Sequence, residues 1–288
     1  MSFKTKLNLF SLFIIALIPF GILWYVRTHR PPPPPPPEPR KEINLTIIPG
    51  WNLRDVADDW VKKGIVKTPE ELFAYTGTPA TDYRTHASAE PVRRIVTSTD
   101  FDTLFSSKPN TISYEGYLFP ETYRVYADAK PDEVLKKIFG VFRDRVPAAW
   151  SEELTRQNKS FFDVVTMASI LENEAKTVDD KKIVADILWR RLKRGMRLQV
   201  DSSVHYVSAR TGDVFTTKQE READSPWNTY KYEGLPLGPI GNPSLASIEA
   251  ALYPITNSYW YFLTGHDGAM HYAKTYDEHL RNVNKYLR

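Results

Sequence analysis

From Leu7 to Val26 the chain runs "LNLFSLFIIALIPFGILWYV" without one charged side chain, and seven prolines, Pro31 to Pro37, then Pro39, come almost at once after it. About 20 residues at about 1.5 Å per residue make roughly 30 Å of helix, the hydrocarbon thickness of a bilayer. Trp24 and Tyr25 stand at one end of the run, where aromatic rings favour the interface, and Lys4 and Lys6 flank the other. An uncleaved anchor is expected rather than a signal peptide, whose apolar core is shorter and whose cleavage site needs small residues that "RTHRPPPP" lacks. Lys4 and Lys6 are partly balanced by Arg27 and Arg30, so charge alone leaves the orientation open. The prolines predict a stiff polyproline II spacer of roughly 22 Å at about 3.1 Å per residue. Beside a bilayer that reading is preferred to a proline-recognition ligand. The domain plan is therefore a tail over 1–6, a membrane anchor over 7–26, a linker over 27–42, and folded parts over 43–110 and 111–288.

With 288 residues and 42% apolar composition, the chain is long enough to bury a sizeable core. The 38 basic and 35 acidic residues leave +3 with no long basic block, so charge nominates no nucleic-acid partner. Without cysteine there are no disulfides and no thiolate metal sites. Sixteen Tyr and seven Trp supply flat faces that suit a core and equally suit sugar rings.

"INLTIIPG" alternates as a strand, and "WNLRDVADDWVKKGIV" repeats apolar residues at helical spacing up to Gly64. "TPEELFAYTG" predicts a second helix, with a Thr68-x-x-Glu71 capping box and an early proline. This strand-helix-helix module ends near Gly77, and a return strand is expected near Arg93 to Thr97. "SYEGYLFPETYRV" reads as irregular and turn-rich. Helices are expected over Pro131 to Arg145, Phe161 to Lys176, Asp179 to Arg194 and Leu245 to Leu252. "YWYFLT" and "MHYAK" read as strands around a turn at His266 to Gly268, before a last helix opened by Thr275-x-x-Glu278. Positions 222 to 243, "EADSPWNTYKYEGLPLGPIGNP", form a long loop of the kind that is usually functional. The fold class is α+β, and no internal repeat is evident.

Two places concentrate chemistry. In "TMASILENEAKT" Glu172 and Glu174 lie two residues apart on a helix, so they point roughly 200° apart and cannot face each other across a sugar as a glycosidase pair. One at most is catalytic. Glu172 has the smaller neighbours, Ala168 and Ser169, and a nearly apolar setting would raise its pKa towards a general acid's range; the competing reading is a solvated helix glutamate. In "MRLQVDSSVHY" Gln199, Asp201, Ser202, Ser203, His205 and Tyr206 gather hydrogen-bonding groups, which turn and cap chemistry explains almost as well. A serine triad lacks its nucleophile-elbow pattern, and His266, His271 and His279 lack metal-site spacing.

"ASILENEA", "RLKRGMRLQVDSSVHY", "SPWNTYKYEGLPLGPIGNPSLASIEAALYP" and "YWYFLTGHDGAMHYAKTYDEHLRNVNKY" occur in the order and approximate spacing of the endolytic murein transglycosylases, the YceG-like family. The chain resembles that family over roughly 110 to 288. Its anchor and its 43 to 77 module also resemble the family's membrane segment and small LysM-like domain. Two departures are Trp227, where tyrosine is usual, and a short 78 to 112 region. The resemblance implies cleavage of the bond between N-acetylmuramic acid and N-acetylglucosamine within nascent peptidoglycan strands, leaving 1,6-anhydro ends, without metal or cofactor. The first acid of "ASI-x-E-x-E", Glu172, is implied as the acid and then base, with Glu174 in support. Gln199, Asp201, Ser202 and Tyr206 are implied to bind sugar or orient Glu172. Asn228, Thr229 and Tyr230 are implied on the opposite wall, and Glu121 as a further polar contributor. The implied partners are glycan strands and cell-wall synthases, with the amino terminus inside the cytoplasmic membrane and the catalytic part outside. A glycan-binding scaffold without turnover is the alternative, and a purely structural anchor protein a third reading.

Overall fold

The computed structural model describes residues 20–28, 39–85, 106–209 and 216–288. The chain divides into two compact units, Met1–Arg40 and Lys41–Arg288. In the first, residues 20–28 are helical and Phe20, Ile22, Leu23, Trp24 and Tyr25 are exposed. Among the described residues no helix is long and apolar enough to cross a membrane. Most of the expected 7–26 span, the spacer over 31–37 and the return strand near Arg93 to Thr97 lie outside the described residues.

The second unit is α+β, mostly helical with two small antiparallel sheets. Strand β1 (Glu42–Thr46) leads to α1 (Leu53–Lys62) and α2 (Pro69–Thr76). Helix α1 starts at a full capping box made by Asn52 and Asp55, and buries Leu53, Val56, Ala57 and Trp60. It ends before Gly64, whose φ of +75° suits glycine. At α2 the expected Thr68–Glu71 box is not formed. The Thr68 side chain makes no capping hydrogen bond, and the Glu71 carboxylate instead accepts from the Lys67 N–H at 2.7 Å.

The partner of β1 is β2 (Thr122–Tyr126), which pairs Leu45 with Tyr123 and Ile43 with Val125. This strand corrects the reading of "SYEGYLFPETYRV" as wholly irregular. Its own alternation, with Tyr123 and Val125 buried between exposed neighbours, is a strand signal masked by the adjacent Gly116 and Pro120. Helices α3 (Pro131–Arg145) and α4 (Trp150–Gln157) come next. The second of these goes beyond the helices expected from the sequence: it is short, and its two buried residues, Trp150 and Leu154, give a faint period.

Helix α5 (Phe161–Glu174) runs through the middle of the unit. Ser160 and Asp163 form its capping box, and every residue from Val164 to Leu171 is buried, the pattern of a helix surrounded by protein. Around it stand α6 (Val178–Lys193), α7 (Asp201–Ser208), the short α8 (Lys218–Arg221) and α9 (Leu245–Leu252), with α9 packed on both α5 and α6. The hairpin β3 (Tyr261–Thr264) and β4 (Met270–Ala273) and helix α10 (Tyr276–Tyr286) complete the chain. Helix α7 likewise goes beyond the helices expected from the sequence, since turn-forming Asp201, Ser202 and Ser203 open it and hide its helical period.

The two irregular segments meet beside α5. A Cβ on Gly116 would come within 2.5 Å of Pro239 and 3.1 Å of Val165, so glycine there permits the "GLPLGPIGNP" loop to lie against the helix. A Cβ on Gly241 would come within 2.8 Å of the Gly50 carbonyl oxygen. That close approach lets Asn242 stitch the β1–α1 loop to the loop before α9. The Gly50 N–H donates to the Asn242 carbonyl at 2.9 Å, and the Asn242 N–H to the Trp51 carbonyl at 2.7 Å.

Candidate active site

Both glutamates sit in the last turn of α5, and they leave it on opposite sides. Glu172 turns towards α6 and α9. Its Oε1 accepts from Lys181 Nζ at 2.9 Å, while Oε2 accepts from the Ser244 N–H at 2.8 Å, Ser244 Oγ at 2.6 Å and Ser247 Oγ at 2.7 Å. The side chains of Lys181 and Glu172 are only 7% and 11% exposed. Burial by itself would raise this carboxyl's pKa, but the lysine, the two serine hydroxyls and the Ser244 amide outweigh burial and hold it below the ordinary value. The nearly apolar setting expected for Glu172 is therefore corrected: it is a buried anion with both oxygens occupied.

Glu174 turns towards α7. Its Oε1 accepts from Ser202 Oγ at 2.7 Å and from the Ser202 N–H at 3.4 Å. Among the described residues no donor reaches Oε2. The residue keeps some exposure while protein crowds its carboxyl, and that burial, with the nearby Asp201 charge, raises its pKa against the pull of Ser202. The environment sought for Glu172 is found two residues on. No sequence signal separates the two, because the difference lies in what α6, α7 and α9 bring to each.

The polar cluster is only partly convergent. Asp201, at the start of α7, accepts on Oδ1 from Thr216 Oγ1 and from the Tyr230 hydroxyl, both at 2.7 Å. Arg221 donates to Thr216 Oγ1 at 2.7 Å, and its guanidinium carbon lies 5.2 Å from the Tyr230 ring centroid. Thus Asp201, Ser202 and Tyr230 gather on the Glu174 side. Gln199 is exposed in the left-handed region, φ +53°, with its N–H donating to the Thr229 carbonyl at 3.2 Å. A non-glycine residue in that conformation at the lip of a polar cluster is a strained feature of the kind that gathers at binding sites.

Three other expected residues serve the framework. Asn228 is 1% exposed and spends its amide on the carbonyls of Arg221 and Ala223, at 3.0 and 2.8 Å, while accepting from the Tyr230 N–H. Thr229 is 2% exposed; its Oγ1 accepts from the Val200 N–H at 3.1 Å and pairs with Ser203 Oγ at 2.8 Å. Tyr206 is buried, donating to Glu115 Oε2 at 3.1 Å and accepting from the Ala80 N–H at 2.9 Å. The polar side-chain atoms of all three are engaged by protein partners. Glu121 pairs with Arg145 at 2.8 Å and bonds with none of the cluster.

Sequence reasoning missed several structuring residues. Lys181 is buried on the same face of α6 as Val184, Ala185 and Leu188. A lysine in an apolar stripe is a legible sign of a buried counter-charge. Ser244 is readable as an N-cap, but not as a ligand of Glu172. Glu115 is 2% exposed and accepts from the Leu53 N–H at the start of α1, at 3.1 and 3.2 Å, as well as from Tyr206. Burial pushes its pKa up to about 8 against those bonds. Among the described residues no cluster of His, Asp and Glu is arranged to hold a metal ion.

Comparison with known proteins matches residues 35–285 to the YceG-like family. The chain is 37% identical over 174 residues to the endolytic murein transglycosylase of Bacillus subtilis, covering 60% of this chain and 48% of that protein. It is 28% identical over 178 residues to the protein of the same name from Streptococcus pneumoniae D39, covering 60% of this chain and 32% of that one. The alignments thus span about half, or less, of these relatives' length. The 2.6 Å crystal structure of a YceG-like protein from Listeria monocytogenes is similar with a TM-score of 0.65 and 33% identity, over 83% of this chain and 74% of that one.

Proposed function

The chain belongs to the YceG-like family, and from that premise we propose that it is an endolytic peptidoglycan transglycosylase whose acid is Glu174. The observation that carries this reading is the contrast between the two carboxyls. Glu172 has four donors on its two oxygens, which stabilise the anion and leave no proton to give. Glu174 has one oxygen held by Ser202, the other unbonded among the described residues, and a raised pKa.

In the proposed reaction Glu174 gives its proton to the glycosidic oxygen between N-acetylmuramic acid and N-acetylglucosamine as the C1–O bond breaks. The electron pair of that bond leaves with the departing sugar. Positive charge grows at C1, and the muramyl O6 closes on it, returning its proton to the Glu174 carboxylate. Because the nucleophile is the substrate's own hydroxyl, one carboxyl can act as acid and then base, consistent with two glutamates that diverge. Ser202 aims the acid, Asp201 and Tyr230 line its side of the groove, and Gln199 stands at the lip. Asn228 and Thr229 shape the opposite loop rather than touch sugar.

The uncharged run over 7–26 is proposed as a membrane anchor with residues 1–6 inside, supported by its length and flanking aromatics. The Pro-rich linker over 27–42 then leads to a LysM-like part over 43–110 and a catalytic part over 111–288, which share the β1–β2 sheet. Glycan strands are the substrate and cell-wall synthases the proposed protein partners. The test is to incubate the full chain in detergent, and its Glu174→Gln and Glu172→Gln forms, with uncrosslinked peptidoglycan strands and to read the new ends by mass spectrometry. Anhydromuramyl ends from the parent and none from Glu174→Gln are expected. Reducing ends would indicate a hydrolase. Binding without cleavage by the folded parent would favour the scaffold.

A further inference from the structure

If Glu174 is the acid, its neighbour Glu172 is left as a buried charged group that the chemistry does not use. Helix α5 ends at Glu174, and Ala175 has already left the helix at φ −137°, ψ 140°. A helix's last turn lacks onward hydrogen bonds and frays unless something ties it down. Glu174 cannot be the tie, because its carboxyl must be free to pass a proton and Ser202 holds only one of its oxygens. Asn173 bonds back within the helix, its Nδ2 donating to the Ser169 carbonyl at 2.9 Å.

Most of the polar connections from this turn to other elements run through Glu172. One oxygen takes the ammonium of Lys181 on α6. The other takes the Ser244 amide and hydroxyl at the cap of α9, and Ser247 Oγ in that helix's first turn. A carboxylate suits that place, since the first turn of a helix offers unpaired N–H groups and a partial positive charge. Gly50 closes the cluster: a Cβ there would stand 3.8 Å from Glu172 Cγ and 3.5 Å from Asn173 Oδ1, so the β1–α1 loop lies against the same turn.

We infer that Glu172 is a positioning residue, clamping the last turn of α5 between Lys181 and the start of α9 so that Glu174 is held in aim at the scissile bond. The inference rests on the reading of Glu174 as the acid. It distinguishes the two glutamates of the motif by job: one holds the turn as a permanent anion, and the other moves the proton.

The test uses the full chain in detergent and the rate of anhydromuramyl end formation, with Glu172→Gln, Lys181→Met and the double variant. Glu172→Gln keeps an oxygen for Ser244 and Ser247 but strands the Lys181 charge. Its kcat is expected to fall about tenfold with KM little changed, a size in keeping with a small misalignment of a catalytic group. Glu172→Gln/Lys181→Met, which also removes the α6 end of the clamp, is expected to keep the lowered kcat and leave the alkaline limb of the pH profile where it lies in the parent. A folded double variant that regains the parental kcat would overturn the inference, because the stranded Lys181 charge and not the lost clamp would then account for the defect. So would a Glu172→Gln form that melts earlier yet turns over at the parental rate per folded molecule. Should Glu172→Gln fail to fold, Ser247→Ala carries the test: it removes one of four donors, and an unchanged kcat would overturn the clamp. Glu174→Gln in the same assay separates the two readings, since turnover by that form would remove the acid assignment whatever the clamp variants do.

Discussion

A carboxyl's role is set by how many donors reach it and how much water does. Glu172 and Glu174 have the same side chain, two residues apart, but four donors hold the first below its ordinary pKa while crowding and the Asp201 charge raise the second. A general acid works while protonated, so activity is expected to fall as pH rises through the Glu174 pKa. Asp201→Asn keeps an oxygen for Thr216 and Tyr230 but removes the negative charge that favours the protonated acid. The alkaline limb of kcat/KM is therefore expected to move to lower pH in that variant, and an unmoved limb would deny Asp201 this influence.

At the level of elements, the first helix and α7 are joined through one buried acid. Glu115 accepts from the Leu53 N–H, which opens α1, and from Tyr206 on α7, whose ring centroid also lies 5.1 Å from the Arg54 guanidinium. Its folded pKa of about 8 lies above the ordinary 4.5, so the folded state binds the proton that the unfolded chain has released between those values. Stability is thus greatest below the unfolded value and is lost as pH rises towards 8. At about 1.4 kcal/mol per unit the full cost is on the order of 5 kcal/mol. Glu115→Gln retains an acceptor without the charge. Thermal melts are expected to show it more stable than the parent at about pH 8, with the two converging near pH 5. Equal offsets at both pH values would rule out Glu115 as the titrating group.

At the level of the whole molecule, residues 41–288 form one compact unit, and β1 near its start pairs with the distant β2, Glu42 standing opposite Tyr126. A fragment lacking residues 1–40 is expected to be soluble without detergent and to yield anhydromuramyl ends; a folded fragment that leaves isolated strands intact would count against an autonomous enzyme. Much of this unit is legible in the chain itself. The 3.6-residue period and its caps locate Pro131–Arg145 and Leu245–Leu252 to the residue, and α5 and α6 to about two residues, because helix signals are local. The order of the motifs likewise points to the family. Strand β2 and the short helices α4 and α7 escape such a reading because each is brief and its neighbours carry turn residues. Which glutamate keeps an unbonded carboxyl oxygen among the described residues was decided by tertiary structure alone. Lys181, Ser202 and Ser244 reach the end of α5 from three separate elements, and a pKa depends on the charges and dipoles nearby in space, which spacing along the chain does not record.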